Sequence, residues 1–305
     1  MALDFDPLKD RIETRLAEVI PTRGEPSLAA RHSLLAPAKR LRAVLTLLSA
    51  QQYGGAIDTA LDTACALEMV HTASLIFDDL PAMDDAPLRR GMATPHVVYG
   101  EGVAILAGIG LLNGAYELIS QCEALTPLQR SEVSLTLSKS IGWQGLVHGQ
   151  GLDLQSDQNI REANLEDIHY GKTGALFVAA AVAGAQTAHA APENYSLLTL
   201  YGRELGLSYQ AFDDVLDEIA DDDLAGKTTQ KDGGKLTAFT LARGQSCMQA
   251  ALRRADGHLQ AAKDAFLAQG SEDKTFLEGH FPLVVLADYI KAHFSKTFGS
   301  ITSQP

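Results

Sequence analysis

The sequence predicts an all-α protein, a large antiparallel bundle of helices. Apolar residues recur at three- and four-residue spacing from Lys9 to the C-terminus, which is the period of an amphipathic helix. Runs of β-branched residues flanked by hairpin turns are scarce. Turn-forming residues separate the helices and lie at 21–26, 53–55, 81–95, 126–127, 192–195, 221–234 and 270–274. Because no Ser/Gly-rich or Pro-rich linker divides the chain, we expect a single domain over residues 1–305.

Composition limits the classes of function. The formal net charge is −13. This charge disfavours partners whose phosphate groups must be neutralised by Lys and Arg on the protein surface, such as nucleic acid or an anionic membrane. No signal peptide is recognisable at the N-terminus, and the apolar stretches at 102–112 and 174–185 are shorter than the about 20 residues that span a bilayer. The cysteines, Cys65, Cys122 and Cys247, form no C-x-x-C pair. We therefore expect a cytoplasmic protein without a membrane span.

The helix that runs toward Pro81 carries one acidic face. At about 100° per residue, four polar residues fall within an arc of about 100°: Glu68, His71, Asp78 and Asp79. Pro81 interrupts this helix, so the chain can turn and return Asp84 and Asp85 toward the same point. The sequence therefore predicts one acidic cluster built from two adjacent segments.

A second helix carries a similar face, about 100° wide, with Gln210, Asp213, Asp214 and Asp217. Acidic stripes are usually solvated helix faces. However, residues 204–226 contain no Lys or Arg to relieve the repulsion between Asp213 and Asp217 at i, i+4. Two such clusters suit Mg²⁺, which prefers a few carboxylates together with water and substrate phosphate. We therefore predict a magnesium site and a polyanionic substrate.

Basic residues lie close in sequence to both acidic clusters. Singly, each is an ordinary surface charge. Together they supply the guanidinium forks and ammonium groups that hold phosphate oxygens. They form three groups: Lys39, Arg40 and Arg42; Arg89 and Arg90; and Lys227, Lys231 and Lys235. The pattern predicts a diphosphate site.

These residues resemble a known family, the trans-isoprenyl diphosphate synthases, or short-chain polyprenyl synthetases. The segment from Asp78 to Gly91 is similar to the family's first aspartate-rich motif in its bacterial DDxxxxD form, with the trailing double Arg. The segment from Tyr209 to Asp217 is similar to the second motif, DDxxD. Lys172-Thr173 also matches. The block at 226–235 resembles bacterial geranylgeranyl diphosphate synthases of the carotenoid pathway most.

The resemblance implies the isoprenoid synthase type I fold, a bundle of antiparallel helices around a deep central cavity, in a homodimer. It also implies a reaction: Mg²⁺-dependent head-to-tail condensation of isopentenyl diphosphate with dimethylallyl, geranyl or farnesyl diphosphate. Metal and basic groups would stabilise the departing diphosphate, and an apolar cavity would keep water from the allylic carbocation.

The resemblance also implies a role for each matching residue. Contact with Mg²⁺ or its waters is implied for Asp78, Asp79, Asp84, Asp213, Asp214 and Asp217. Contact with the allylic diphosphate is implied for Arg89, Lys172, Gln210, Lys227 and Lys235. Contact with isopentenyl diphosphate is implied for Lys39, Arg42, His71 and Arg90. Gln150 and Asp153 match a segment beside the allylic site, and the wall would include Phe77, Thr173, Gln210 and Phe212. The catalytic set is Asp78, Asp79, Asp84, Lys172, Asp213, Asp214 and Lys227.

Product length depends on where the growing chain is stopped. In the family, the position five residues before the first Asp often forms the floor; here it is Ala73, with Ser74 beside it. Ala73 lies about 7.5 Å of helix rise from Asp78, so a small residue leaves room for about one more isoprene unit. The sequence therefore favours geranylgeranyl diphosphate (C20) over farnesyl diphosphate (C15).

Two other functions use a similar pattern. A class I terpene cyclase ionises related substrates, but its second metal motif is normally an Asn/Ser/Glu pattern instead of DDxxD. A non-catalytic partner subunit that binds prenyl diphosphates usually lacks one aspartate motif, and this chain keeps both. Turnover by the purified chain alone would exclude the partner subunit.

Overall fold

The structure is a computed structural model that describes residues 5–155, 162–219, 247–267 and 282–302. In these ranges the regular structure is almost entirely helical, which confirms the predicted fold class. The helices are α1 (Asp6–Val19), α2 (Glu25–Leu34), α3 (Leu41–Gln52), α4 (Ile57–Asp78), α5 (Pro95–Tyr99), α6 (Glu101–Gln121), α7 (Pro127–Ile141), α8 (Leu146–Leu154), α9 (Glu162–His169), α10 (Ala175–Thr187), α11 (Tyr195–Ile219), α12 (Cys247–Leu267) and α13 (Pro282–Thr302). A π-helical turn (Tyr170–Gly174) joins α9 to α10, and a 3₁₀ turn (Pro192–Asn194) precedes α11.

A short hairpin interrupts the helical pattern after the first acidic segment. Strands β1 (Leu88–Arg89) and β2 (Met92–Ala93) pair antiparallel, with Leu88 opposite Ala93. The connecting residues Arg90 and Gly91 have φ values of 55° and 74°, and positive φ at both central positions is the geometry of a type I′ turn. The helical periodicity gave no signal for this hairpin, which positions two of the predicted phosphate-binding arginines.

The centre of the bundle is formed by α3, α4, α10 and α11. Helix α10 buries every residue except Val178, because Ala and Gly dominate its sequence and let neighbouring helices approach. A Cβ on Gly184 would lie 2.2 Å from the carbonyl oxygen of Thr46 on α3, so only glycine fits there. The core continues from Phe5 on the N-terminal side to Phe294 on α13. Organisation as a single domain stays a prediction.

Helices α4 and α6 are each long and apolar enough to cross a membrane, judged by length and composition alone. For α4, 67% of the apolar window is buried in the protein, as in a core helix. For α6 only 33% is buried. The sequence analysis underestimated the length of α6, since the apolar run at 102–112 is one part of a helix that ends at Gln121. Its outer face exposes Ile105, Leu106 and Ile109.

Candidate active site

The two predicted acidic faces line one cavity, whose volume is about 770 Å³. Helix α4 contributes one face and α11 the other, while the segments around Lys39, Asp84 and the β-hairpin complete the rim. The acidic and polar residues that line the cavity from the two helices are Glu68, His71, Asp78, Gln210, Asp213 and Asp214. Basic residues face the same space: Lys39, Arg42, Arg89, Arg90 and Lys172. The cavity therefore brings together side chains that are far apart in sequence.

The first acidic segment turns back on itself at the end of α4. The backbone N–H of Asp84 donates to the carbonyl oxygen of Asp78 at 2.8 Å, and that of Ala86 donates to Asp79 at 3.1 Å. This confirms the predicted return of the chain toward Asp78. The pKa of Asp78 is raised to about 6, mainly because the carboxyl group is buried; the charge of Lys172 opposes this shift and that of Asp84 contributes to it. A cation near Asp78 would therefore stabilise its charged form.

Asp79 points away from that cavity and is 2% exposed. The Nε of Arg89 lies 2.7 and 2.9 Å from its two carboxylate oxygens. Asp79 and Arg89 also line a second, smaller cavity beside the hairpin. The pair therefore fixes the hairpin to α4. The predicted contact of Asp79 with the metal and that of Arg89 with the substrate stay predictions.

Lys172 lies in the π-helical turn between α9 and α10. A π turn widens the helix locally, and such turns are frequent at functional sites. The ammonium of Lys172 donates to Asp153 of α8 at 2.6 Å. Because Asp153 is 7% exposed, this ion pair directs Lys172 into the cavity. The sequence matched both residues to the allylic site but contained no signal for the π turn.

A chain of hydrogen bonds connects the π turn to the second acidic face. The hydroxyl of Thr173 donates to Gln210 at 2.6 Å, and the amide of Gln210 donates to Asp214 at 2.9 Å. On the other side, His169 Nε2 lies 3.3 Å from the second carboxylate oxygen of Asp214. Both oxygens of Asp214 are thus engaged by protein groups. Sequence reasoning missed His169, although its position three residues before Lys172 was a usable signal.

His71 and Arg42 form a second polar pair at the cavity wall. The guanidinium of Arg42 lies 3.2 Å from His71 Nε2. Arg has no acceptor atom, so Nε2 accepts and the ring proton is on Nδ1. Burial, with Arg42 next in importance, lowers the pKa of His71 well below its usual range. A neutral His71 therefore orients Arg42, whose other side packs on the ring of Phe177 at 4.7 Å.

Arg40 differs from the two basic residues beside it in sequence. Its guanidinium is buried and donates to the carbonyl oxygens of Leu34 at 2.6 Å and Ala36 at 3.1 Å. It also lies 3.5 Å from Glu68. Its φ of 53° marks the tight entry into α3. Arg40 therefore holds the segment that carries Lys39 instead of pointing its guanidinium toward a ligand.

The residues assigned to product length occupy two different surfaces of α4. Ser74 lines the cavity, whereas Ala73 is fully buried. Ala73 shares a helix face with Phe77, four residues away, and the Phe77 ring packs against Gly108 of α6. Two other residues matched by resemblance have the following contacts. The predicted wall residue Phe212 stacks on Phe294 with ring centroids 4.7 Å apart. The side-chain amide of Gln150 points to the sulfur of Met83 at 3.5 Å.

Several predicted site residues lie outside the described part of the chain. Lys227 and Lys235 fall in residues 220–246, and the side chain of Asp217 is likewise not described. Among the described residues, no group of three or more His, Cys, Asp and Glu side chains is arranged to hold a metal ion alone. The carboxylates of Asp78, Asp84 and Asp213 nevertheless share the cavity, and hard oxygen donors of this kind fit Mg²⁺ completed by water and phosphate.

Comparisons with known proteins agree with the geometry. The polyprenyl synthetase family model matches residues 27–266. A geranylgeranyl diphosphate synthase of Pantoea ananas is 41% identical, covering 88% of this chain and 90% of its own length. One from Cyanophora paradoxa is 38% identical, covering 92% and 93%. The crystal structure of a geranyltransferase from Helicobacter pylori with magnesium and isoprenyl diphosphate superposes with a TM-score of 0.79 at 26% identity, covering 97% of this chain and 96% of that one.

Proposed function

The chain belongs to the polyprenyl synthetase family and is a prenyltransferase, and we propose that it extends allylic diphosphates with isopentenyl diphosphate to give geranylgeranyl diphosphate. The observation that carries this proposal is the single cavity lined by both aspartate clusters and by basic residues. Relatives named geranylgeranyl diphosphate synthase support the C20 product.

We place Mg²⁺ between the two acidic faces, held by Asp78, Asp84 and Asp213. The family resemblance adds Asp214 and Asp217, and also Asp79, which would have to exchange its contact with Arg89 for the metal. When bound, Mg²⁺ supplies positive charge to the diphosphate oxygens of the leaving group. The magnesium in the Helicobacter pylori structure supports this assignment, as does the raised pKa of Asp78.

The basic side chains divide into two diphosphate sites. Lys172 and Arg89, with Gln210, lie near the acidic faces and suit the allylic diphosphate; Lys227 and Lys235 join them by resemblance. Lys39, Arg42 and Arg90, with the neutral His71, suit isopentenyl diphosphate. Two separate anion sites in one cavity hold the two substrates side by side, which is the arrangement that lowers the entropy cost of condensation.

The chemistry follows from charge on the departing diphosphate. As the C–O bond of the allylic substrate ionises, Lys172 stabilises the negative charge on the leaving oxygens. The double bond of isopentenyl diphosphate attacks the allylic carbocation, a new C–C bond forms, and a proton leaves to the released diphosphate. Ile168, Leu75 and Leu216 line the cavity and keep water from the cation.

We assign the limit on product length to the α4 wall below Asp78. Ser74 faces the cavity and is small, which leaves room for a long tail. Ala73, the residue indicated by family resemblance, is adjacent and acts by letting α4 and α6 pack closely. Farnesyl diphosphate is the second candidate product, because a wall elsewhere in the cavity could stop the chain earlier.

A second copy of the chain is the partner that we propose for α6. Exposed uncharged residues occupy positions 102, 105, 106, 109, 110 and 113 on its outer face and follow helical spacing, and the exposed Glu101 and Glu117 flank them. Glycines at two of the uncharged positions permit close helix contact. A two-fold axis would bury this face against itself. The enzyme is then a homodimer, and its cysteine pattern supports a cytoplasmic location.

The test is a condensation assay with purified protein, Mg²⁺, isopentenyl diphosphate and, separately, C5, C10 and C15 allylic primers. Dephosphorylated products are identified by mass spectrometry. We expect C20 alcohol from every primer, and none with Asp213→Asn. Accumulation of C15, with an inert C15 primer, would identify a farnesyl diphosphate synthase. Absence of condensation by folded wild-type protein would overturn the proposed function.

A further inference from the structure

Four aromatic rings from three helices form one cluster beside the cavity. They are Phe177 from α10, Tyr209 and Phe212 from α11, and Phe294 from α13. The centroid of Phe294 lies 4.7 Å from that of Phe212 and 5.4 Å from that of Tyr209, and Tyr209 lies 5.6 Å from Phe177. These separations are typical of interacting aromatic pairs. The cluster joins the C-terminal helix to the wall of the site.

Two of the three cations assigned to isopentenyl diphosphate, Lys39 and Arg42, lie over this cluster. The Nζ of Lys39 is 4.9 Å from the centroid of Phe294 and 5.6 Å from that of Tyr209. The guanidinium of Arg42 lies over Phe177. A cation within about 6 Å of a ring face is attracted by the ring quadrupole. Phe294 is 1% exposed, so water does not compete for its ring face.

The two cations are held by different means. Arg42 belongs to α3 and also bonds to His71. Lys39 lies before α3, in a stretch without regular structure, and its side chain has a flexible four-carbon stem. The rings of Phe294 and Tyr209 therefore help to hold the ammonium at the end of this flexible side chain. Phe294 lies beyond residue 266, where the match to the family model ends.

We propose that Phe294 is a positioning residue whose ring holds the Lys39 ammonium over the cavity, so that helix α13 completes the site for isopentenyl diphosphate. This role depends on the proposed function only in that the function identifies the bound diphosphate as isopentenyl diphosphate. Phe294 acts through Lys39 and touches no reacting atom.

The first test is Phe294→Leu, which removes the ring and keeps an apolar side chain. We expect the KM for isopentenyl diphosphate to rise about three- to tenfold, the range that a cation–π contact supports. The kcat and the KM for the allylic primer should stay unchanged. An unchanged KM for isopentenyl diphosphate in this variant would overturn the proposal.

The matched control is Phe5→Leu. Phe5 is also buried and packs edge-on against Tyr289 of the same helix at 5.0 Å. This variant loosens the docking of α13 without touching Lys39, and we expect an unchanged KM. An equal rise in both variants would mean that α13 acts only by its docking, and the positioning role would be wrong.

A double-mutant cycle tests whether Phe294 acts through Lys39. Lys39→Met keeps the length of the side chain and removes its charge. We expect Phe294→Leu to add nothing to the KM in that background. If the effects of Phe294→Leu and Lys39→Met on this KM were fully additive, the proposal would be wrong.

A binding measurement makes the outcome independent of turnover. Calorimetric titration with inorganic pyrophosphate in EDTA leaves only protein groups to hold the anion. We expect the Kd of Phe294→Leu to rise by the same factor as its KM. Failure of the wild type to condense substrates would overturn the proposed function, while this titration would still decide the role of Phe294. An equal Kd in wild type and variant, or no binding to either, would overturn the positioning role.

Discussion

Gly149 of α8 and Gly171 of the π turn pack backbone against backbone: a Cβ on Gly149 would lie 2.6 Å from the Cα of Gly171 and 2.5 Å from the backbone nitrogen of Lys172. Backbone atoms cannot rotate away from such a contact, so any side chain on Gly149 must displace the turn. The orientation of Lys172 toward Asp153 therefore depends on two residues without side chains.

We expect Gly149→Ala to lower kcat/KM about 10- to 100-fold, because a displacement of about 1 Å at a catalytic group can cost this much. The protein should remain folded. The measurement is steady-state kinetics with circular dichroism on the same sample.

Gly151→Ala is the control for that substitution. It lies on the same helix, and a Cβ there would meet nothing within 4 Å. Alanine is the better helix former, so activity should be retained and stability equal or slightly higher. Equal activity of both variants would mean that the glycine contact does not position Lys172.

Gln210 connects Thr173 to Asp214, and its amide nitrogen is the donor to that carboxylate. Gln210→Glu replaces the donor with an acceptor and places a second negative charge beside Asp214. We expect kcat/KM to fall by about 10- to 100-fold, because a buried carboxylate loses its hydrogen bond. The dependence of rate on Mg²⁺ concentration should be measured alongside.

The chain contains a matched pair for this test. Gln260 donates to Asp264 at 2.9 Å with the same four-residue spacing, but on an exposed face of α12. Gln260→Glu should leave the rate unchanged, since water solvates both charges. A similar loss of rate in both variants would argue against a specific role for Gln210.

The sequence could predict the two acidic faces because helical periodicity fixes which residues share a side. It could not predict that the guanidinium of Arg40 binds the backbone carbonyl of Leu34 and lies close to Glu68, since these are tertiary contacts. The π turn and the β-hairpin were also missed. Both are set by backbone geometry that an apolar pattern does not encode.

Product length should respond to the residue that faces the cavity. Ser74→Phe should shift the product from C20 toward C15, because the ring fills space below Asp78, while Ser74→Ala should keep C20. Ala73→Tyr should also shorten the product, but it forces a ring into a fully buried site and should lower stability by about 1–3 kcal/mol or more. A C20 profile in an active Ser74→Phe variant would mean that another wall sets the length.

The oligomeric state should depend on the outer face of α6. We expect the wild type to sediment at about twice 32.6 kDa, and Leu106→Glu to sediment as a monomer, since a charge in an apolar interface is costly to bury. Leu128→Glu, at a more exposed leucine on α7, should keep the wild-type mass. A monomeric wild type would exclude the proposed dimer.

Stability at acid pH should depend on His293. Burial, with the charges of Lys39, Lys9 and Lys296, lowers the pKa of His293 to about 4, whereas the unfolded chain has a value of about 6.5. Between these values the unfolded state binds more protons, so the free energy of unfolding decreases as the pH falls from about 6.5 to 4. His293→Gln should flatten this decrease. Thermal melts of both proteins at several pH values give the comparison; parallel curves would show that His293 is not the responsible group.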